Sequence, residues 1–294
     1  MISVCIATHN GEKYIRQQLE SILSQLGSND EVIVSDDGST DNTRQLVNTW
    51  IKSETDFQIQ YWYKENGGLH TGYNVAIEHL DTELAVCIDS DDYVPVNFAE
   101  LINDYWKYNG SDDFAGIIGL DFDTKGMCIG EYLPDKHSIN IADLITGKYN
   151  IKNGDRKLVV RSDLYKKVAP MPSFKGEKFF NPHYMHTKIG LDREYLVLNK
   201  CLCIVDYQPQ GMSRNMYLQY YNSPNSFAEI RLLDLSLPRT TLLYKFKKSI
   251  HYCSSCFLAK RKKFVKKSPC KLITLFALLP GWFFSKIVVR KNKK

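Results

Sequence analysis

Leu84-Ala85-Val86-Cys87-Ile88-Asp89-Ser90-Asp91-Asp92 is the stretch on which the fold turns. Its unbroken apolar run is the mark of a strand buried on both faces, and such strands belong to parallel sheets covered by helices. The run stops abruptly at carboxylates. The same pattern occurs twice upstream: Ile2–Ala7 runs into Thr8-His9-Asn10-Gly11, and Glu31–Ser35 runs into Asp36-Asp37-Gly38-Ser39. Between these runs, Ile15, Leu19, Ile22, Leu23 and Leu26 fall at helical spacing within Glu12–Leu26. A second helix is expected from about Thr43, a strand over Phe57–Tyr63 and a third helix over His70–Leu80. Strand–helix alternation at this rhythm predicts an α/β fold, an αβα sandwich around a mainly parallel sheet.

Downstream the signals are mixed. Phe98–Tyr108 predicts a helix, Phe114–Leu120 a strand, and Leu158–Val160 and Leu202–Val205 short strands. Ala169–His186, rich in Pro, Phe and Gly, predicts an ordered loop. His183 and His186 form HxxH without the Glu or third ligand that zinc chemistry requires. Cys253-Ser-Ser-Cys256 is a lone CxxC without a second pair, and Cys5 and Cys87 lie in apolar runs as buried thiols.

Ligands of open parallel sheets bind beyond the carboxyl ends of the strands. Thr8 and Asn10, Asp36 and Asp37, and Asp89, Asp91 and Asp92 are therefore expected to converge on one cleft. So many carboxylates together call for a compensating cation. Asp91 and Asp92, with Asp89, are placed to hold a hard divalent ion that keeps several waters and bridges a substrate diphosphate. Each cluster could instead be an acidic turn or a helix cap.

Charge is unevenly placed. Residues 239–294 contain thirteen Lys, three Arg and no acid, whereas the whole chain carries +5, so residues 1–238 sum to −11. An acidic body repels polyanions, which argues against nucleic acid as a partner, while a basic tail suits anionic lipid. Phe257, Leu258, Phe264, Leu272, Ile273, Leu275, Phe276, Trp282 and Phe283 are the apolar residues expected to enter the headgroup boundary. The uncharged run Leu272–Ser285 is short for a membrane span and contains Pro280-Gly281. Ile2–Ala7 opens the chain without a basic leader, which predicts a protein at the cytoplasmic face of the membrane.

Val4–Gly11, Val34–Asp41 and Ile88–Asp92, in this order and spacing, resemble the family 2 glycosyltransferases, inverting enzymes of the Rossmann-like GT-A fold and of bacterial polysaccharide assembly. The resemblance is strong over residues 1–95 and weaker over 96–220. It implies a sugar transfer from a nucleotide-sugar donor, uridine-linked, to a hydroxyl of a saccharide acceptor, lipid-linked, by metal-assisted single displacement with inversion. Thr8, Asn10, Asp36 and Asp37 would contact the nucleotide. Asp89, Asp91 and Asp92 would hold Mg2+ or Mn2+ on the donor diphosphate. Gly67-Gly68 and Gly72-Tyr73-Asn74 resemble the segment ending in Ala-Arg-Asn, with Gly68 and Asn74 as donor contacts and Tyr73 in place of the usual Arg. Gly176-Glu177 resembles the late Gly-Glu/Asp motif and makes Glu177 the expected general base.

The expected domains are a donor-binding half (1–95), an acceptor-binding half (96–238) and a basic amphipathic helical tail (239–294). A sugar nucleotidyltransferase would want a Gly-rich basic loop after the first strand, where Thr8–Lys13 has a single Gly and a single Lys. A non-enzymatic membrane scaffold would not need acids at the ends of adjacent strands.

Overall fold

The computed structural model describes residues 1–52, 58–151, 154–207 and 215–292. Phe57, expected in the third strand, and Lys293 and Lys294 of the basic tail lie outside the described residues. The chain forms two compact units: Met1–Met171 with Met185–Tyr207, and Pro172–Tyr184 with Gln208–Lys294. The sheet runs on past residue 95 into the expected acceptor-binding half, and the tail packs in one unit with residues 215–238.

The first unit follows the predicted alternation: β1 (Ile2–Thr8), α1 (Ile15–Leu23), β2 (Glu31–Asp37), α2 (Thr43–Ile51), β3 (Gln58–Lys64), α3 (Leu69–Glu78), β4 (Leu84–Asp89) and α4 (Phe98–Asn109). It continues through β5 (Phe114–Asp123), β6 (Ser138–Ile139), α5 (Ile141–Ile145), β7 (Arg156–Arg161) and α6 (Ser162–Val168). After α7 (His183–Ile189), β8 (Glu194–Val205) completes an eight-stranded sheet in the order β3-β2-β1-β4-β7-β5-β8-β6. β3, β2, β1 and β4 pair parallel, as do β5 and β8. β7 is antiparallel to both β4 and β5, and β6 is antiparallel to β8. Six strands therefore end on the same edge. Ile2, Val4, Ile6, Val32, Val34, Val86 and Ile88 form the middle of the core with Ile15, Leu19 and Ile22 of α1.

Two elements differ from expectation. β8 spans twelve residues rather than the four of Leu202–Val205. Asn199 and Lys200 interrupt its apolar pattern, and the β5–β8 register shifts around Leu120, so the strand lacks the clean period-2 signal. α7 begins inside the segment expected to be loop.

The second unit is helical: α8 (Met216–Asn222), α9 (Pro224–Ser236), α10 (Leu242–Leu258), α11 (Phe264–Lys267), α12 (Lys271–Phe276) and α13 (Leu278–Lys291). Its core holds Ala228, Leu235, Tyr252, Cys253, Cys256, Phe264 and Ala277, with Phe257 packed against them. Leu258 packs with Tyr220, Phe227 and Val288. Phe257, Leu258 and Phe264 therefore point into the protein, correcting their expected place in a headgroup boundary.

Candidate active site

The sheet register aligns the expected residues. Thr8 pairs with Asp36, and Ala7 pairs with both Ser35 and Asp89. Side chains alternate along a strand, and paired residues of parallel neighbours share a face. Asp37 and Asp89 thus share one face of the sheet, and Thr8 and Asp36 lie on the other.

Helix α3 covers the face of Asp37 and Asp89. A Cβ at Gly72 would stand 2.9 Å from the Ala7 Cβ, so the residue's size permits the contact. The entrance of α3 cradles Asp37. The Gly67 amide donates to Oδ1 at 2.8 Å, the Gly68 amide to Oδ2 at 2.7 Å and the Lys64 ammonium to Oδ1 at 2.5 Å. Burial alone would raise this carboxyl, but Lys64 and the two amides hold it below the usual range. Gly68 accepts φ 97° and Gly38 φ 78°, left-handed values that suit glycine, and a Cβ on Gly38 would sit 2.8 Å from the Asn66 nitrogen. Farther along α3, the buried Tyr73 hydroxyl donates to Asp89 Oδ1 at 2.6 Å. Asn74 is engaged at both ends, its amide bonding the Met171 carbonyl at 3.0 Å and its oxygen the Met171 N–H at 2.7 Å.

On the opposite face, Asp36 accepts the Ser39 amide at 2.8 Å and the Tyr61 hydroxyl at 2.6 Å. Asn10, at φ 52°, ties the first loop to the second: its N–H donates to Ser39 Oγ and its Oδ1 accepts from the Thr40 N–H. The Thr8 hydroxyl is buried without a hydrogen-bond partner among the described residues.

Around the end of β4 the charges are poorly compensated. Burial pushes Asp92 up to about 7; Lys157 opposes the rise, while Asp89, Asp91 and Asp121 add to it. Burial and then Asp89 raise Asp91. Burial also takes Asp121 to about 6 against the pull of Lys157, and its Oδ1 lacks a hydrogen-bond partner among the described residues. Burial disfavours the charge on Lys157, but Cys203, Asp121, Asp92 and Asp89 outweigh it and raise Lys157 well above the usual range. Asp121 and Lys157 escaped the sequence reading because the antiparallel insertion of β7 between β4 and β5 brings them to the cluster. Lys64 could have been found by extending the strand-end logic to β3.

These acids suit a divalent cation in part. Among the described residues no three His, Cys, Asp or Glu side chains are arranged to hold a metal ion by themselves. The raised carboxyls and the unpartnered Asp121 oxygen instead fit an ion held by one or two carboxylates and completed by a ligand's oxygens.

Glu177 lies in the second unit and caps a helix. Its Oε1 accepts the Asn225 N–H and Nδ2, and its Oε2 accepts the Ser226 N–H and Oγ, all at 2.8 Å. Asn225 and Ser226 belong to the first turn of α9, whose free amides and dipole favour a carboxylate there. A carboxylate has about four lone-pair sites, and four donors engage Glu177. Service as a base requires α9 to release one of them.

The glycosyl transferase family 2 model matches residues 3–163, which contain the ends of β1, β2, β3 and β4. Glycosyltransferase GlyG of Streptococcus pneumoniae serotype 4 is 30% identical over 277 residues, covering 88% of this chain and 81% of GlyG. Glycosyltransferase GlyA of the same organism is 33% identical over 220 residues, 72% of this chain, but this chain spans only 31% of GlyA. Residues 1–349 of S. aureus TarS in complex with UDP-GlcNAc superpose with a TM-score of 0.66 at 17% identity, covering 99% of this chain and 91% of that one. The mannosyltransferase PcManGT of Pyrobaculum calidifontis, crystallised with GDP-Man and Mn2+, gives a TM-score of 0.56 at 16% identity, covering 97% and 86%. With the family's sequence pattern laid along the carboxyl edge of a sheet of the same fold, the chain belongs to glycosyl transferase family 2 and is a glycosyltransferase of the GT-A fold.

Proposed function

We propose that this glycosyltransferase moves a sugar from a uridine-linked nucleotide-sugar to a hydroxyl of a lipid-linked saccharide, by single displacement with inversion, at the cytoplasmic face of a membrane. The observation carrying the donor reading is the under-compensated acidic cluster at the end of β4, beside strand ends that offer the unpartnered Thr8 hydroxyl. Thr8, Asn10, Asp36 and Asp37 shape the nucleotide side, with Gly68 holding Asp37 in place. Asn74 serves this side indirectly, by fixing α3 to the Met171 backbone.

Asp91 and Asp92, oriented with Asp89, would hold Mg2+ or Mn2+. When bound, the ion supplies positive charge that offsets the charge developing on the departing diphosphate. The acceptor hydroxyl must lose its proton as it attacks, and Glu177 is the proposed carboxylate, exchanging one of its α9 donors for that hydroxyl. Support for the donor class comes from UDP-GlcNAc and GDP-Man in the TarS and PcManGT complexes, and for the metal from Mn2+ in the latter.

A panel of nucleotide-sugars tests the reading. The true donor raises the melting temperature by mass action, more so with Mn2+ than with EDTA, and is consumed only when an acceptor is supplied. NMR of the product should show inverted anomeric configuration. Absence of stabilisation by every uridine-linked sugar overturns the donor assignment.

A further inference from the structure

Helices α12 and α13 are built inside out. Thr274, Ala277, Gly281, Ser285 and Val288 recur at helical spacing and are buried. This inner stripe is mostly small or polar. A Cβ on Gly281 would come within 2.5 Å of the Cys253 Cβ and 2.9 Å of the Ile250 carbonyl, so α10 approaches where only glycine fits. The Thr274 hydroxyl is satisfied internally by Ser268 Oγ at 2.6 Å and the Cys270 carbonyl at 2.9 Å. The outer face carries the large apolar side chains. Leu272 and Phe276 are each 75% exposed, Leu279 66%, Phe283 55% and Leu275 54%, with Trp282 and Ile287 also exposed. A helix on a water-soluble surface has the reverse pattern. Ile273, also expected at the headgroup boundary, is only partly exposed.

Within α13 the exposed apolar stripe from Leu279 to Ile287 runs about 12 Å at 1.5 Å per residue. Lys271, Lys286 and Arg290 are exposed beside it, and Lys286 Nζ lies 5.3 Å from the Trp282 ring centroid. Lys262, Lys263, Lys266 and Lys267 are exposed on and just before α11. Residues 239–294 contain no acid to balance these charges. A second copy of the chain would set one strongly cationic helical unit against another, so self-association through this face is electrostatically opposed. No helix of the described residues is long and apolar enough to cross a membrane. Protruding Leu, Phe and Trp flanked by exposed cations instead match a helix lying in the plane of an anionic interface.

From this we infer that the outer face of α12–α13 is a lipid-docking surface, inserted among the headgroups of an anionic bilayer by Leu272, Leu275, Phe276, Leu279, Trp282 and Phe283. The inference rests on the proposed membrane location and assigns it to one face.

Vesicle flotation of the full chain tests it. The protein should float with phosphatidylglycerol-containing vesicles, float poorly with phosphatidylcholine alone and be partly released by high salt. Trp282 emission should shift to the blue and be quenched by brominated lipid, and that quenched component should vanish in Trp282→Phe. Phe276→Glu with Phe283→Glu changes only exposed side chains. It should keep the wild-type melting temperature and bind ~10-fold or more weakly, given the free energy of burying two aromatic side chains. A variant that floats like wild type would move the docking face elsewhere while sparing the membrane location. A wild-type protein that ignores anionic vesicles would overturn both. Self-association of such a non-binding protein, relieved by the double variant, would reassign the face to a protein partner.

Discussion

The Tyr73 hydroxyl reaches Asp89 Oδ1 at 2.6 Å from the helix whose entrance, at the Gly67 and Gly68 amides, holds Asp37. Helix α3 therefore sets two acids of one sheet face at once. Tyr73, where the resemblance leads one to expect Arg, is a neutral donor aimed at a carboxylate.

Tyr73→Phe should expose the importance of this bond. It keeps the buried ring and removes one donor, leaving Asp89 Oδ1 without it at a cost of about 1–3 kcal/mol. Transfer should fall roughly tenfold, with a higher Mn2+ concentration needed for half-maximal rate. A purely structural hydroxyl would lower the melting temperature and leave the metal titration unchanged, and that result would sink the positioning role.

The donor-side skeleton was legible because its signals are local. Apolar runs and helical spacing located β1 to β4 and α1 to α4 within a few residues, and strand polarity then predicted which loops share an edge. α1 starts late because Gly11 accepts from the Tyr14 and Ile15 amides in a turn over the expected first residues. What escaped depends on distant pairing. Lys157 and Asp121 meet the acids only through the reversed strand β7. Glu177 stood out within its own motif, but the helix turn that saturates it lies 48 residues away at Asn225. The inverted pattern of α12–α13 was half visible: the apolar residues were evident, but which of them face outward depends on how closely α10 packs at Gly281.

Asp91→Asn and Asp92→Asn address the metal. Each removes a charge from the cluster proposed to hold the ion and should lower transfer on the order of 10²–10³-fold, as expected when one positioned stabiliser of developing charge is lost. Isothermal titration should show that Mn2+ no longer strengthens binding of the nucleotide-sugar. Wild-type rates in EDTA would remove the metal from the mechanism.

Glu177→Gln separates capping from base catalysis. The new amide group places N–H bonds against donors from Asn225 and Ser226, so the start of α9 loses part of its cap. Loss of a cap costs about 0.5–2 kcal/mol, and the melting temperature should fall by a few degrees. If Glu177 also takes the acceptor's proton, the rate falls by roughly 10²–10⁴-fold, measured well below the new melting temperature. A destabilised variant with an unchanged rate confines Glu177 to the cap.

His251 should make the helical unit sensitive to acid. Burial first, then Arg231 and Lys248, lower it to about 4, with Asp234 pulling the other way. Its Nδ1 lies 3.2 Å from the Tyr220 hydroxyl, and its ring meets Phe284 edge-on with centroids 4.9 Å apart. An unfolded histidine titrates near ~6.5. Between that value and about 4 the unfolded chain therefore binds a proton that the folded chain refuses. Stability from this group is complete above the unfolded value and is lost as the pH falls toward the folded one. His251→Gln cannot take up that proton. It should melt below wild type at pH ~7.5 through loss of the ring contacts, and the gap should narrow or reverse at pH ~4.5. Thermal melts of both proteins at the two pH values decide the matter: a gap of equal size at each would mean that His251 is not the group that titrates.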